Sequence, residues 1–312
     1  MQFNKPKFWE EKNLIAYLLF PFSLLTQLFV YLKKKILKPV IFNLPIICIG
    51  NIYVGGTGKT PLAIHLAKKL CKLGKNPAIL RKYYKEHSDE HSLIRENFSN
   101  LILNADRAKG ISEAELNKYD SVILDDGFQD YKIKKNLSIL CFNQNQLIGN
   151  GFIIPAGPLR ESLTSLKNAN LILINGLKDS HFEKKLLKIN ENLEFFYSKY
   201  YPINISNFKN KKLLAIAGIG NPDNFFNLLI ENNLDLRKKM VFPDHYKFDE
   251  NEIKNIYNYA YRKNYQIIMT EKDYHKIKRF NIENIKYLKI ELKISNEDFF
   301  LNKVKNIYDK KN

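Results

Sequence analysis

Disulfide chemistry is the first thing this chain is poorly equipped for. Its three cysteines, Cys48, Cys71 and Cys141, are odd in number and far apart, with no C-x-x-C. That argues against a disulfide framework or a zinc site and fits a reducing compartment. Cys48 and Cys141 sit inside apolar runs and read as small core residues. No internal repeat, zinc-finger spacing or RNA-binding signature is present, and no small-residue cleavage site marks a signal peptide. Acidic residues are scarce relative to basic ones, 32 against 50, leaving a formal charge of +18. An anionic membrane or a phosphorylated substrate would suit that charge. Nucleic acid is not expected, because charge alone would have to carry it, and no obligate protein partner is evident. Lys and Asn are abundant throughout, so part of the bias reads as genomic.

Charge is absent altogether from Asn13 to Leu32, NLIAYLLFPFSLLTQLFVYL. The run is just long enough to span a bilayer, but Pro21, Ser23, Thr26 and Gln27 interrupt it. Lysines flank both ends (Lys5, Lys7 and Lys12, then Lys33 to Lys35), so charge asymmetry sets no orientation. One reading is a buried helix pair broken at Pro21. The reading preferred here is an interfacial anchor, with Trp9, Tyr17 and Tyr31 near the headgroups and lysines facing anionic lipid.

With 312 residues, 45% of them apolar, the rest can build one large or two ordinary domains. Strand-like runs IICIG, PAIL, LILN, SVILDD, LSILCFN and NLILIN alternate with helical patterns, notably 59–73 and 112–118. This predicts an α/β fold with a mainly parallel sheet flanked by helices. From about Asn210 the alternation restarts, through KLLAIAGIG, NPDNFFNLLIENN, a strand near 239–242, a helix from Asp249 and YQIIMT. The expected division is a membrane-associated segment over 1–40, a nucleotide-binding domain over 41–205 and a smaller α/β domain over 206–312. The β-rich stretch from Glu194 to Ile205 would connect the last two.

The most informative stretch is ICIGNIYVGGTGKTPLAIHL, Ile47 to Leu66. A buried strand, a glycine-rich loop and a helix follow one another. Such a loop turns successive N–H groups and a helix N-terminus toward one anion. Tyr53, Val54, Gly55, Gly56, Thr57, Gly58, Lys59 and Thr60 would form the cradle. Lys59 would reach the outer phosphates and the Thr60 hydroxyl would bind Mg²⁺. Pro61 suits the first helical turn. Tyr53 occupies the position of the usual first glycine. A structural turn is the competing reading, and the strand–loop–helix context favours a phosphate site for ATP.

SVILDDGFQD ends an apolar strand in Asp125 and Asp126, where a P-loop protein keeps its Mg²⁺-linked acid. By itself DDG also reads as a turn. GNGFIIPAGPLRESL carries Arg160 and Glu161; it serves equally as a helix start or as a source of an arginine that neutralises developing charge. VFPDHYKFDENE places Asp244 and His245 before a helix, either as a polar turn or as an acid/base or orienting pair. KEHSDEH, 85–91, is either a solvated loop or part of the site lining.

Taken together, GN-x-x-VGGTGKTP, DDGFQ, GNG-x-x-x-PAGPLRE, AGIGNP-x-x-FF, FPDH and TEKD, in this order, resemble the tetraacyldisaccharide 4′-kinase family, the lipid A kinases of Gram-negative bacteria. The resemblance runs from the apolar N-terminus to about Lys276. It implies transfer of the ATP γ-phosphate to the 4′-hydroxyl of a tetraacylated glucosamine disaccharide 1-phosphate, the lipid A precursor. It implies a P-loop domain, a smaller C-terminal domain contributing to an active-site cleft, and attachment to the cytoplasmic face of the inner membrane. It further implies Asp89 as catalytic base paired with His245. Asp125 and Asp126 match the paired aspartates, Arg107 follows Asp106 in the matching D-R pair, and Arg160 and Glu161 match the R-E pair. Gln129, within DDGFQ, joins Arg107, Arg160 and Glu161 as an expected substrate contact. Two departures stand out: Lys82 where the family has R-G-Y, and Asp130 where His usually follows DDGFQ.

The rival from another class is a deviant P-loop switch ATPase that positions cargo or DNA. Those proteins carry an extra lysine before the glycines, and Val54 stands there. A guanine-binding switch would want N-K-x-D, and TEKD puts its lysine one place too late.

Overall fold

The structure is a computed structural model describing residues 6–84, 88–244 and 246–309, except the side chain of Ser88. The chain divides into two compact units. Among described residues the larger holds 6–83, 98–199 and 292–309. The smaller gathers 88–97 with most of 200–291. The continuous boundaries expected at 41–205 and 206–312 therefore differ from this partition at 88–97, at 200–205 and at 292–309.

The larger unit opens with helix α1 (Leu14–Ile36), then alternates β1 (Ile46–Gly50), α2 (Lys59–Lys72) and β2 (Pro77–Lys82). Helix α3 (Ser88–Asn97) belongs to the other unit. The larger unit resumes with β3 (Leu101–Asn104), α4 (Arg107–Leu116), β4 (Ser121–Asp125), β5 (Leu137–Asn143), β6 (Leu171–Asn175), α5 (Ser180–Leu187) and β7 (Glu194–Pro202). The smaller unit holds β8 (Leu213–Ala217), α6 (Pro222–Glu231), β9 (Leu236–Val241), α7 (Glu250–Arg262), β10 (Gln266–Thr270), α8 (Glu271–Ile277) and β11 (Ile285–Leu288). Strand β12 (Ile290–Ile294) and helix α9 (Glu297–Asp309) close the chain.

The first sheet has eight strands in the order β12-β7-β6-β5-β1-β4-β2-β3. Strands from β7 through β3 pair in parallel. Strands β1, β4 and β5 are buried along their whole length, which is why they read as unbroken apolar runs. Cys48 and Cys141 lie in that core, where burial pushes both thiols up to about 12 and leaves them inert. Within the Glu194–Ile205 stretch, Glu194–Pro202 is a strand of this sheet and not merely a connector. The second sheet runs β11-β10-β8-β9, all parallel.

Helix α4 begins at Arg107, five residues ahead of the pattern at Ser112, with Asp106 as N-cap accepting from the Ala108 amide at 2.9 Å. Gly110 masks the helical signal. It leaves room for Leu80, whose Cδ1 would lie 2.5 Å from a Cβ there.

Helix α9 stays with the larger unit because Glu297 bonds His65 and Lys69 on α2, and the Tyr308 hydroxyl donates to Ser121 Oγ at 2.7 Å. Helix α3 stays with the smaller unit through Asn97, whose amide reaches Glu271 at 3.2 Å, and Lys272, which reaches Glu90 at 3.2 Å.

At the N-terminus two expectations are corrected. Helix α1 is continuous through Pro21 and mostly exposed, so it is not a buried pair broken there. Its length and composition suffice to cross a bilayer. Trp9 is 3% exposed and donates its indole N–H to the Pro155 carbonyl at 3.0 Å, which removes it from any headgroup layer. Tyr17 and Tyr31 are exposed.

Candidate active site

Strand β1 delivers the chain to the glycine-rich loop. Gly55, at φ +125°, and Gly58, at φ +91° as the N-cap of α2, take backbone angles that a side chain resists. Asn51, fully buried, braces the loop from within: its amide donates to the Gly55 carbonyl at 3.2 Å and Thr57 Oγ1 at 3.0 Å. The loop is also stitched to 158–160. The Val54 amide donates to the Pro158 carbonyl at 2.9 Å, the Arg160 amide to the Ile52 carbonyl at 2.7 Å, and Tyr53 bridges Leu159.

Strands β1 and β4 are neighbours, with Ile49 opposite Asp125. That pairing carries the two aspartates to the loop. Thr60 Oγ1 donates to Asp125 Oδ2 at 2.9 Å, and the buried Arg81 guanidinium also bonds that oxygen. Asp126 leaves the strand at φ +60°, a left-handed angle that Asp tolerates better than most residues. Its Oδ1 accepts from Arg160 at 2.8 Å and lies 3.7 Å from Lys59 Nζ. Burial opposes the charge on Asp126, but the adjacent Lys59 and Arg160 outweigh it and hold the carboxyl well below the usual carboxylate range. Burial likewise depresses Lys59, partly offset by Asp126. An ammonium and a guanidinium thus share one carboxylate, a cationic site ready for anionic phosphate.

The residues suit a magnesium ion. Asp125 Oδ1 is buried with no hydrogen-bond partner among the described residues, beside the Thr60 hydroxyl. No cage of three His, Cys, Asp or Glu side chains exists among the described residues. Mg²⁺ typically binds through few protein oxygens, completed by water and phosphate.

The remaining expected contacts divide. Arg107 donates to the Asp126 carbonyl at 2.7 Å and to Asp130 Oδ2 at 3.2 Å, so it fastens the turn after β4, and the unusual Asp130 is its partner. Gln129 donates to the Asn51 carbonyl at 2.8 Å and to Glu161 Oε1 at 3.0 Å. Glu161 is 1% exposed and accepts from Gln129, Tyr131 and, at 2.8 Å, Lys34 of α1. That geometry makes Glu161 a strut for the loop around Arg160. Asp89 is in the smaller unit, buried in α3 near Lys272 and Lys276, which excludes the solvated-loop reading for it and for buried His91. His245 lies outside the described residues, as do residues 85–87. Lys34, expected to face lipid, is instead paired with Glu161. Asn51, Arg81 and Tyr131 had no expected role, although Asn51, inside the GN of the first motif, and Arg81, beside Lys82, stood in family motifs.

The family model for tetraacyldisaccharide-1-P 4′-kinase matches residues 15–308. The chain belongs to this family. It is 38% identical over 317 residues to the tetraacyldisaccharide 4′-kinase of Pelagibacter ubique, covering 99% of this chain and 100% of that one. The Rickettsia felis enzyme of the same name is 33% identical, with 96% of each chain covered. Among solved structures, LpxK from Aquifex aeolicus in complex with ATP is similar at a TM-score of 0.72 and 25% identity, covering 95% of this chain and 100% of that one. In this member of the family Lys59 and Arg160 converge on the Asp126 carboxylate.

Proposed function

We propose that the protein transfers the γ-phosphate of ATP to the 4′-hydroxyl of a tetraacylated glucosamine disaccharide 1-phosphate, the lipid A precursor. The observation that carries this reading is the glycine-rich loop with Lys59 and Arg160 converging on Asp126. Before ATP arrives, Asp126 holds both cations in place. When ATP binds, the loop from Tyr53 to Thr60 cradles its phosphates, and Lys59 and Arg160 meet the charge that builds on the γ-phosphoryl group. Thr60 and Asp125 would hold Mg²⁺, with Asp126 alongside. Bound there, the ion would shield the β- and γ-phosphate oxygens.

Asp89 serves as the base. It takes the proton of the 4′-hydroxyl, the sugar oxygen bonds to the γ-phosphorus, the bond to the β-phosphate oxygen breaks, and ADP leaves. His245 orients Asp89. Gln129 and Arg107 shape the turn beside the acceptor. Most of the acceleration comes from positioning two substrates, not from the base. In domain terms, 1–40 is the membrane-associated segment, and the P-loop domain and smaller α/β domain follow it.

The protein works at the cytoplasmic face of the bacterial inner membrane. Exposed Leu18, Phe22, Leu25 and Phe29 on α1, with exposed Lys33 and Lys35 at its end, support a helix lying in the interface of an anionic bilayer. Release of ADP by purified protein tests the reading. It should depend on added lipid disaccharide and disappear in Lys59→Ala. Turnover that ignores the lipid would favour the switch ATPase instead.

A further inference from the structure

In the smaller unit the motif TEKD spans the end of β10 and the start of α8, where Thr270 Oγ1 caps the helix by accepting from the Asp273 amide at 3.1 Å. Fully buried Asp273 accepts from the Gly218 amide at 2.8 Å and from Lys276 Nζ at 2.7 Å. These bonds fix the first turn of α8 and hence the stem of Lys272. Its ammonium, on a side chain 15% exposed, lies 2.9 Å from Asp244 Oδ1, 3.2 Å from Glu90 Oε1 and 3.6 Å from Asp89 Oδ2. One lysine thus touches or approaches acids from two other segments: helix α3 and the segment that holds Asp244.

We propose that Lys272 is a positioning residue for the phosphoryl-transfer reaction, holding Asp89 ionised and tying it to Asp244. The proposal rests on the reading of Asp89 as base. A base in a buried position is useful only while ionised, and desolvation works against that form. An ammonium a few ångströms away works for it. Lys276 also approaches Asp89 Oδ2, at 3.7 Å, and adds to the same support while bonded to Asp273 and to the Gly218 carbonyl at 3.1 Å. The carboxylate of Glu90 opposes ionisation of Asp89 and draws on the same ammonium. His91 shares the helix, buried. Lys272 is therefore the cation that three carboxylates share, and removing it should be felt first at the most buried of them. Asp89 is 5% exposed by side chain, against 17% for Glu90 and 30% for Asp244.

The test is the pH profile of kcat for the full-length protein with saturating ATP and lipid disaccharide. Lys272→Met keeps the stem and removes the charge. It should move the acid limb of kcat upward by about one pH unit or more. The loss should be about tenfold below that limb and should shrink as pH rises. KM for ATP should stay near wild type. Lys272→Arg, with its charge kept, should leave the limb where it was and retain most activity. It also serves as the readout if Lys272→Met does not fold. An unmoved acid limb, with kcat lowered equally at all pH values or not at all, would overturn the proposal; so would a limb that shifts in Lys272→Arg as far as in Lys272→Met. Asp89→Ala separates the two layers. A harmless Asp89→Ala removes the base reading and this proposal with it. A crippled Asp89→Ala beside an unmoved limb in Lys272→Met leaves the base standing and removes only Lys272.

Discussion

Lys59 illustrates what the residue scale decides. Its ammonium lies 3.7 Å from Asp126, and burial holds its pKa below that of an ordinary lysine. Phosphate binding needs the charged form. The dissociation constant for ATP should therefore start rising at a lower pH than ordinary lysine titration would give, and Lys59→Arg, which cannot deprotonate, should flatten that rise. Isothermal titration across the alkaline range checks both curves. Gly50 makes a second prediction. A Cβ there would fall 2.4 Å from Phe128 Cβ, so Gly50→Ala must push the turn after β4 away from β1. It should cost about 1–3 kcal/mol in urea unfolding and lower kcat as well, because that turn carries Asp126. Of these residues, Lys59, Thr60 and Asp126 were legible in the sequence because their chemistry is bound to local spacing. The pairing of Arg81 with Asp125 was not, since it depends on β2 and β4 being neighbours. Neither was the burial of Glu161, which depends on where α1 lies.

At the scale of elements, strands β1 to β6 were readable because buried parallel strands are short apolar runs bounded by turns. The C-terminal elements were not. Strand β12 shows alternating burial, and α9 is a partly polar helix whose partner is distant in sequence. Buried Phe300, Leu301, Val304 and Ile307 hold α9, and Glu297 adds bonds to Lys69 and His65. Burial alone would raise the Glu297 pKa, but those two partners bring it below its ordinary 4.5. A depressed carboxylate contributes stability above its unfolded pKa and loses it as pH falls through the folded value. Glu297→Gln should therefore lower stability by about 1 kcal/mol at neutral pH. The gap in Tm between variant and wild type should narrow as pH falls below 4.5. A gap constant across that range would mean that Glu297 acts through packing and not charge. Helix α1 was foreseen as an apolar segment; its docking was not. Ser23 Oγ donates to the Ile153 carbonyl at 2.7 Å and accepts from the Ala156 amide at 3.1 Å, an anchorage visible only once 153–156 is folded.

For the whole molecule, the mainly parallel α/β plan and the two-part organisation were evident in the alternation of runs. The chain path was not, because α3 leaves the larger unit and β12 and α9 return to it. Such excursions are set by long-range contacts that no local pattern encodes. The apolar face of α1 gives the prediction proper to this scale. Leu25→Glu or Phe29→Glu should weaken partitioning onto anionic vesicles about tenfold or more, while ATP binding stays intact, as read by vesicle flotation and titration. Vesicle binding unchanged by both substitutions would contradict an interfacial α1. The central claim concerns the reaction itself. The purified protein, given ATP and the tetraacylated disaccharide 1-phosphate, should yield a lipid that mass spectrometry shows to have gained one phosphoryl group and phosphorus NMR places at the 4′ position, with none formed by Lys59→Ala. ATP consumed while the lipid keeps its original mass would contradict the account.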